Sequence, residues 1–187
     1  MRIFLAVFPS PEAQRAAFAT IERLRRPNDG IAWVKRDNLH YTLRFLGELD
    51  ESGVTRATQA AREAASGVPA FEARLGAPGA FPSPRRARVL WLGLAHGAEA
   101  LVALAARLER SLMARGFEAA GRPFSAHLTI GRVKGGDADW SATLAAPVAE
   151  SGPAFAVDRL CVVQSTLARG GSIYAVRAEA PLALANA

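Results

Sequence analysis

Cysteine, lysine and long apolar runs are scarce in this sequence of 187 residues. The single cysteine, Cys161, cannot form an intrachain disulfide and has no companion thiol for a zinc site, so we interpret it as a buried strand residue. No stretch reaches the roughly 18 apolar residues of a membrane span. The first apolar run is interrupted by Pro9 and lacks the pattern of a signal peptide. We therefore expect a cytoplasmic protein without a membrane partner.

Lysine is nearly absent, because Lys35 and Lys134 are the only two, and arginine carries the formal net charge of +6. Arginine forms planar, bidentate contacts with phosphate, so this composition suits an anionic partner such as nucleic acid. A GC-rich coding genome would explain the same composition equally well. The charge alone therefore does not decide between these two explanations.

The local patterns predict a mixture of helices and strands without strict alternation. The first helix is expected to begin with Ser10 as its cap and Pro11 at its first position. Helices are expected at about 11–26, 52–65 and 98–115, and strands at about 2–8, 31–34, 40–47, 71–75, 88–94, 126–133, 155–166 and 172–179. Mixed elements of this kind favour an α+β fold with antiparallel sheets.

Two of the three histidines lie in tetrapeptides of the same form, His-x-Thr-x. His40 and Thr42 belong to the apolar stretch LHYTLRFL, and His127 and Thr129 belong to AHLTIGRV. Residues i and i+2 of a strand project from the same face, so each histidine is expected to share a face with its threonine. We therefore predict two lobes that each present one such strand to a shared groove.

Strict alternation also predicts which face the neighbouring residues occupy. It places Tyr41, Leu43, Phe45, Leu128 and Ile130 towards the core, and His40, Thr42, Arg44, His127 and Thr129 on the open face.

Paired histidines suit proton transfer, because the unperturbed imidazole pKa of about 6.5 lies near neutral pH. One neutral ring can take a proton from water while the other, protonated, gives a proton to the leaving oxygen. Threonine hydroxyls beside them can donate hydrogen bonds to a phosphoryl centre. A metal site is a weaker alternative, since the nearest acidic residues, Asp37 and Glu48, lie off the face of His40 by parity or lie beyond the strand ends. Structural histidines would explain one motif more easily than two.

The residues around the two motifs resemble a known family. NLHYTLRFLGE and RPFSAHLTIGR are similar to the HxTx motifs of the 2H phosphoesterase superfamily, in particular of the RNA 2′,3′-cyclic phosphodiesterases, also called 2′-5′ RNA ligases. RIFLAVFPS, RRARVLWLGL and QSTLARGGSIYAV also look like family blocks. The resemblance implies one 2H phosphoesterase domain over residues 1–187. Its fold would be bilobal and α+β, with two antiparallel sheets related by a pseudo-twofold axis, flanked by helices around a central groove.

The same resemblance implies an activity and a set of site residues. His40 would be the proton donor and His127 the proton acceptor, while Thr42 and Thr129 would bind the substrate phosphate. The reaction would open an RNA terminal 2′,3′-cyclic phosphate to a 2′-phosphomonoester, and its reverse would form a 2′-5′ linkage. No cofactor and no metal are implied. We expect a monomer acting on such RNA ends or on cyclic nucleotides.

Other residues are weaker candidates for RNA contact, namely Arg132, Arg44, Phe81, Arg85 and Tyr174. Strict alternation puts Arg132 on the face opposite His127, so only a bulge or a strand end could bring it to the phosphate. Arg44 has the parity of His40, but a solvated surface position is an equal alternative. His96 is expected to be a surface residue without a catalytic part. The family's usual proline before the second histidine is Ala126 here.

Two further functions stay open at this point. One is an RNA or nucleotide phosphate-binding module that does not turn over its ligand. The other is a 2H enzyme that acts on small cyclic nucleotides.

Overall fold

The computed structural model describes residues 1–145 and 152–184. Its elements in chain order are β1 (Arg2–Val7), α1 (Pro11–Leu24), β2 (Ile31–Trp33), β3 (Tyr41–Glu48), α2 (Glu51–Ala65), β4 (Phe71–Phe81), β5 (Val89–His96), α3 (Ala98–Met113), β6 (Leu128–Val133), α4 (Ser141–Leu144), β7 (Ala154–Val157), β8 (Arg159–Ala168) and β9 (Gly171–Pro181). Short 3-10 turns cover Arg36–Asn38 and Pro84–Arg86. None of the described helices could span a membrane, since each is too short or too polar.

The strands form one curled antiparallel sheet, which confirms the predicted α+β class. The strand order is β7-β4-β5-β6-β3-β1-β8-β9, and β2 pairs with β6 beside this path. The centre of the sheet is narrow, because β3 and β6 pair only through Tyr41 and Leu128. We call the four strands on one side of this joint the His40 lobe (β3, β1, β8, β9) and those on the other side the His127 lobe (β7, β4, β5, β6). The two predicted sheets are therefore halves of one sheet.

The helices cover one face of the sheet and bury the main core there. In α1 the buried residues Ala13, Ala17, Ile21 and Leu24 recur at helical spacing and form one apolar stripe. The predicted start of α1 is confirmed, because the Ser10 hydroxyl accepts a hydrogen bond from the Ala13 amide, with an N···O distance of 3.2 Å.

A smaller apolar cluster lies on the opposite face of the His40 lobe. It contains Phe4, Ala6, Cys161 and Val163, with Phe8 and Tyr174 packed against it. Burial raises the pKa of the Cys161 thiol to about 11, so this side chain stays protonated near neutral pH. The interpretation of Cys161 as a buried strand residue is confirmed.

The predicted strand at 155–166 is wrong, because this apolar run forms two strands in different lobes. β7 is the edge strand of the His127 lobe and β8 lies inside the His40 lobe. The chain leaves one lobe for the other at Asp158, whose carbonyl accepts a hydrogen bond from the Leu182 amide at 2.8 Å. β4 also extends to Phe81, beyond the predicted end at residue 75. A shift in its pairing between Leu75 and Pro78 accommodates the proline, which has no amide hydrogen to donate.

Candidate active site

The two histidines immediately precede the two strands that meet at the joint. His40 comes before Tyr41 and His127 comes before Leu128, and these following residues form the single pair between β3 and β6. The side chains of Tyr41 and Leu128 are buried on the helix side. Because neighbouring residues of a strand point to opposite faces, both histidines lie on the open side of the joint. The structure therefore brings together the two motifs that are far apart in the sequence.

Each imidazole is held by the carbonyl oxygen two residues before it. The Nδ1 atom of His40 lies 2.7 Å from the Asn38 oxygen, and that of His127 lies 2.8 Å from the Ser125 oxygen. A carbonyl oxygen only accepts hydrogen bonds, so Nδ1 carries a proton in both rings. Nε2 is then the atom of each ring that is left for chemistry in the groove. Sequence reasoning missed these two positioning carbonyls, for which no residue pattern gives a signal.

The two threonines differ in their contacts. The Thr42 hydroxyl lies 2.8 Å from Nε2 of His40. Within residues 1–145 and 152–184, no corresponding bond joins Thr129 to His127. Across the sheet, Thr42 is paired with Ala6, whereas Thr129 is paired with Trp91. Among the described residues, Nε2 of His127 therefore has fewer hydrogen-bond partners than Nε2 of His40.

Aromatic side chains surround His40. Its ring centroid lies 4.8 Å from that of Phe4, 5.6 Å from that of Phe8 and 5.3 Å from that of Tyr174. The Tyr174 ring meets the imidazole edge to face, at an interplanar angle of 85°. The predicted site residue Tyr174 is thus beside His40, and Phe4 is a contact that sequence reasoning missed.

His127 has a different aromatic wall. Phe81 meets it edge to face, with centroids 5.1 Å apart, and Phe81 in turn lies 5.0 Å from Trp91. The Trp91 indole lies over Gly79, where an added Cβ would overlap the ring. Gly79 is therefore needed for the indole to lie against the sheet beside Phe81.

Both histidines have lowered pKa values. Burial is the largest cause for each, and the guanidinium of Arg132 lowers the pKa of both imidazoles further. His127 also lowers the pKa of His40, so the two rings interact electrostatically. The hydrogen bonds to the Asn38 and Ser125 carbonyls oppose these shifts and raise the pKa values. Both rings are therefore mainly neutral at neutral pH when no anion is bound.

A bulge in β6 places Arg132 on the face of His127. Against β5, Thr129 is opposite Trp91, Gly131 is opposite Leu90 and Arg132 is opposite Val89, so Ile130 is an extra residue. Trp91 and Val89 share a face, and Thr129 and Arg132 consequently share it too. The prediction from strict alternation is wrong for Arg132, which is exposed on the groove side.

A matching bulge occurs in β3, and it overturns two predictions. Against β1, Thr42 is opposite Ala6, Arg44 is opposite Leu5 and Phe45 is opposite Phe4, so Leu43 is the extra residue. Phe45 therefore lies on the groove side and is 48% exposed, where we expected a core position.

Arg44 lies on the helix side of the sheet, opposite the face of His40. Its Nε atom is 3.3 Å from the Glu109 carboxylate of α3, and its Nη2 atom donates to the Glu118 carbonyl at 2.5 Å. The prediction that Arg44 faces the groove is wrong, because the bulge reverses its parity.

The arginine-rich turn after Phe81 is only partly available for RNA. The guanidinium groups of Arg88 and Arg86 bind the Asp137 carboxylate and hold its pKa below the usual value. Arg85 is exposed in the 3-10 turn. Among the predicted contacts from this turn, Phe81 and Arg85 are thus the accessible ones.

The remaining histidine and the acidic residues do not extend the site. His96 is exposed at the end of β5, opposite Arg74. In the part of the chain that the structure describes, no group of three or more His, Cys, Asp or Glu side chains could hold a metal ion.

Proteins of known sequence match this chain over most of its length. A family model of the 2′-5′ RNA ligase superfamily matches residues 9–169. The RNA 2′,3′-cyclic phosphodiesterase of Thermotoga maritima is 34% identical over 179 residues, which cover 96% of this chain and 94% of that protein.

Solved structures resemble the whole chain as well. The crystal structure of TT0787 of Thermus thermophilus superimposes with a TM-score of 0.80 at 29% identity and covers 97% of this chain and 98% of its own. Escherichia coli LigT complexed with 3′-AMP gives a TM-score of 0.76 at 27% identity and covers 97% of both chains.

Proposed function

This chain belongs to the 2′-5′ RNA ligase superfamily, and we propose that it hydrolyses the terminal 2′,3′-cyclic phosphate of RNA to a 2′-phosphomonoester. The names of its relatives support the cyclic phosphodiesterase activity. The observation that carries the proposal is the joint between β3 and β6. His40 and His127 precede this joint, and the Nδ1 atom of each is bonded to a carbonyl oxygen, so Nε2 is the ring nitrogen that would exchange a proton with the substrate or with water.

In the proposed reaction, Nε2 of His127 accepts a proton from water as the water oxygen bonds to phosphorus. The bond between phosphorus and the ribose 3′ oxygen breaks, and Nε2 of the His40 imidazolium gives that oxygen its proton. The products are a 2′-phosphomonoester and a 3′-hydroxyl, and the proton has moved from one histidine to the other. Each positioned proton transfer typically contributes about 10²- to 10⁴-fold to the rate.

The surroundings of the two rings support this division of roles. Among the described residues, Nε2 of His127 has no bond to its own threonine, which leaves its lone pair free to accept the proton of water. His40 is enclosed by three aromatic rings and its Nε2 already faces the Thr42 hydroxyl. An anionic phosphate between the rings would favour the protonated form of His40 over the neutral one. The reverse assignment would require the more accessible ring to be the acid.

The phosphate ligands in this proposal come from both lobes. The hydroxyls of Thr42 and Thr129 donate to the non-bridging oxygens, on which negative charge increases in the transition state. The Arg132 guanidinium, exposed beside Thr129, adds a charge-assisted contact. Tyr174 and Phe81 would contact the nucleoside, and Arg85 the RNA backbone. Arg44 is excluded from this set, because it is paired with Glu109 on the far side of the sheet.

The proposal extends to the form in which the protein acts. Residues 1–187 would form one 2H phosphoesterase domain of two lobes, and a monomer is sufficient because one chain carries both motifs. The protein would act in the cytoplasm. The reverse reaction would join a cyclic phosphate to a 5′-hydroxyl as a 2′-5′ linkage, using the same two proton transfers in the opposite direction.

The direct test is incubation of the wild-type chain with an oligonucleotide that ends in a 2′,3′-cyclic phosphate, and separately with nucleoside 2′,3′-cyclic phosphates, in EDTA. We expect a 2′-phosphate product, identified by its resistance to a 3′-specific phosphatase. The variant His96→Ala is the matched control and should retain full activity, because this histidine is exposed away from the joint. Binding without product on prolonged incubation would instead support a phosphate-binding module.

A further inference from the structure

A row of apolar side chains runs across the groove side of the His40 lobe. Phe45 of β3 is opposite Phe4 of β1, Phe4 is opposite Val163 of β8, and Val163 is opposite Val176 of β9. The two inner members are buried in the small cluster, whereas Phe45 is 48% and Val176 is 50% exposed. The proposed reaction gives neither exposed side chain a role.

An arginine covers the exposed aromatic ring. The guanidinium carbon of Arg2 lies 5.0 Å from the centroid of the Phe45 ring, within the range of a cation-π contact. Arg2 is on the same face as Phe4 and is itself exposed. The guanidinium plane and the ring together provide two π surfaces at one place, which is the combination that stacks nucleobases.

Positive charge is present both beside Phe45 and beside the proposed catalytic histidines. Burial raises the pKa of Tyr174, and both Arg132 and Arg2 lower it, so the tyrosine hydroxyl experiences both guanidinium groups. Tyr174 is the residue that stacks edge to face on His40. Cations therefore lie at both the histidine end and the Phe45 end of the row.

Two acidic residues lie on this face of the lobe, and the charge of each is offset by a cation. Glu179 is opposite Cys161, and its carboxylate lies 3.1 Å from Nη1 of Arg159. Glu48 is opposite Arg2 in the sheet. Its carboxylate lies 3.1 Å from the amino group of Met1. The local balance therefore remains positive and suits a polyanion.

We propose that Phe45 and Arg2 form a subsite for the nucleotides that precede the cyclic-phosphate end of a single-stranded RNA substrate. The inference rests on the proposed function, because it extends the same groove. Phe45 is three residues beyond Thr42, about 10 Å along the strand at about 3.3 Å per residue. When the substrate phosphate is bound at Thr42, Phe45 is therefore positioned to contact the nucleotides that precede it in the RNA. A mononucleotide has no such group to place there.

Single-stranded RNA fits this surface better than a folded protein does. A stable protein interface buries on the order of 1,000 Å² or more. Here the exposed apolar members of the row are only Phe45 and Val176, and the Arg2 guanidinium lies over Phe45. Base stacking needs only a single ring and a nearby cation, and it tolerates any base sequence.

The test compares substrates of one, two, three and five nucleotides, each ending in a 2′,3′-cyclic phosphate. For the wild type, kcat/KM should rise with length and then level off once a base reaches Phe45. In Phe45→Leu, which keeps an apolar side chain but removes the ring, we expect kcat/KM on the longest substrate to fall at least about 5-fold. The value on the mononucleotide should stay within about twofold. Phe45→Trp should restore the length dependence.

A second variant tests the contribution of the Arg2 charge. Arg2→Gln should lower kcat/KM on the longest substrate, and the slope of log(kcat/KM) against log salt should become shallower by about 0.7, as expected for one lost contact to a single strand. Ile173→Ala is the matched control. Ile173 is 61% exposed on the opposite face of β9, and this change should alter neither substrate series.

The outcomes separate this inference from the proposed function. If the wild type hydrolyses no cyclic phosphate of any length, the proposed function fails. If it hydrolyses all of them and Phe45→Leu loses equally on every length, Phe45 supports the fold of the site and the subsite is wrong. Equal rates in wild type and variant also overturn it. A concentration-dependent increase in mass that Phe45→Leu abolishes would show instead that this face binds a second copy.

Discussion

The strands that carry the two motifs have the same β-bulge, but the side chain that follows the bulge differs. In each, histidine and threonine are followed by a bulge of two helix-side residues, Leu43 and Arg44 in β3 and Ile130 and Gly131 in β6. The next residue returns to the groove side, and it is phenylalanine in β3 but arginine in β6. The backbone of the site is thus nearly symmetric, while only β6 has a charged side chain at this position.

The roles proposed for the two histidines differ because the surroundings of the two rings differ. Both rings use the same tautomer, because the carbonyl two residues earlier accepts from Nδ1 in each. His40 differs in having three aromatic neighbours and a bonded threonine, whereas His127 has Phe81. Variants that equalise or exaggerate these differences should therefore separate the two roles.

The largest effect should come from removing either imidazole. His40→Ala and His127→Ala should each lower kcat by about 10²- to 10⁴-fold, because each loses one proton transfer. The double variant should lose far less than the product of the single losses, since the two rings act as a unit. Steady-state kinetics on a cyclic-phosphate substrate measure this, with circular dichroism to check folding. Strictly multiplicative losses would contradict the coupled mechanism.

The next largest effect should come from Arg132, the residue that makes the two strands different. Arg132→Gln should lower kcat/KM by about 10- to 100-fold, because a charged hydrogen bond to phosphate is lost.

The same change should also move the pH profile. The proposed reaction requires neutral His127 and protonated His40, so kcat/KM should rise with pH through the first pKa and fall through the second. Burial and Arg132 lower both pKa values, and the wild-type optimum should therefore lie below about 6.5. Arg132→Gln should shift both limbs to higher pH. Arg44→Gln is the control, since this arginine lies on the other face and should not move either limb.

A smaller difference is expected between the two threonines. Thr42→Val and Thr129→Val should each lower kcat/KM by about 2- to 12-fold, the value of one neutral hydrogen bond. Thr42→Val should have the greater effect, because it also removes the partner of Nε2 in His40. Parallel kinetics of the two variants measure the comparison, and a greater loss in Thr129→Val would contradict it.

The smallest effect on turnover, but a clear one on stability, is expected from Gly79→Ala. The added Cβ would overlap the Trp91 ring and force the indole away from the sheet. Overpacking of this kind costs about 1–3 kcal/mol of unfolding free energy. Urea denaturation should detect it, while Gly121→Ala, where an added Cβ meets nothing within 4 Å, should have little effect.

Local chemistry made part of this structure predictable. The cap at Ser10, the proline after it and the i, i+2 relation of each histidine with its threonine are encoded by neighbouring residues, and the structure has them. The bulges at Leu43 and Ile130 are different, because a single extra residue depends on pairing with a strand far away in the sequence. Strict alternation therefore misplaced Phe45, Arg44 and Arg132.

The division of the run at 155–166 has a similar cause. An apolar stretch has the same pattern whether it forms one strand or two, and only the packing of both lobes separates β7 from β8. The carbonyls of Asn38 and Ser125 were also out of reach, since a backbone acceptor has no residue type of its own.

The joint between Tyr41 and Leu128 is supported by helices on one face of the sheet. On that face, α1 packs against β6 and α3 packs against β3. The groove face of the sheet is open. Each ring is held by the carbonyl two residues before it, whereas the separation of His40 from His127 depends on the pairing of β3 with β6. In the proposed reaction, the spacing of the acid and the base is thus set separately from the orientation of each ring.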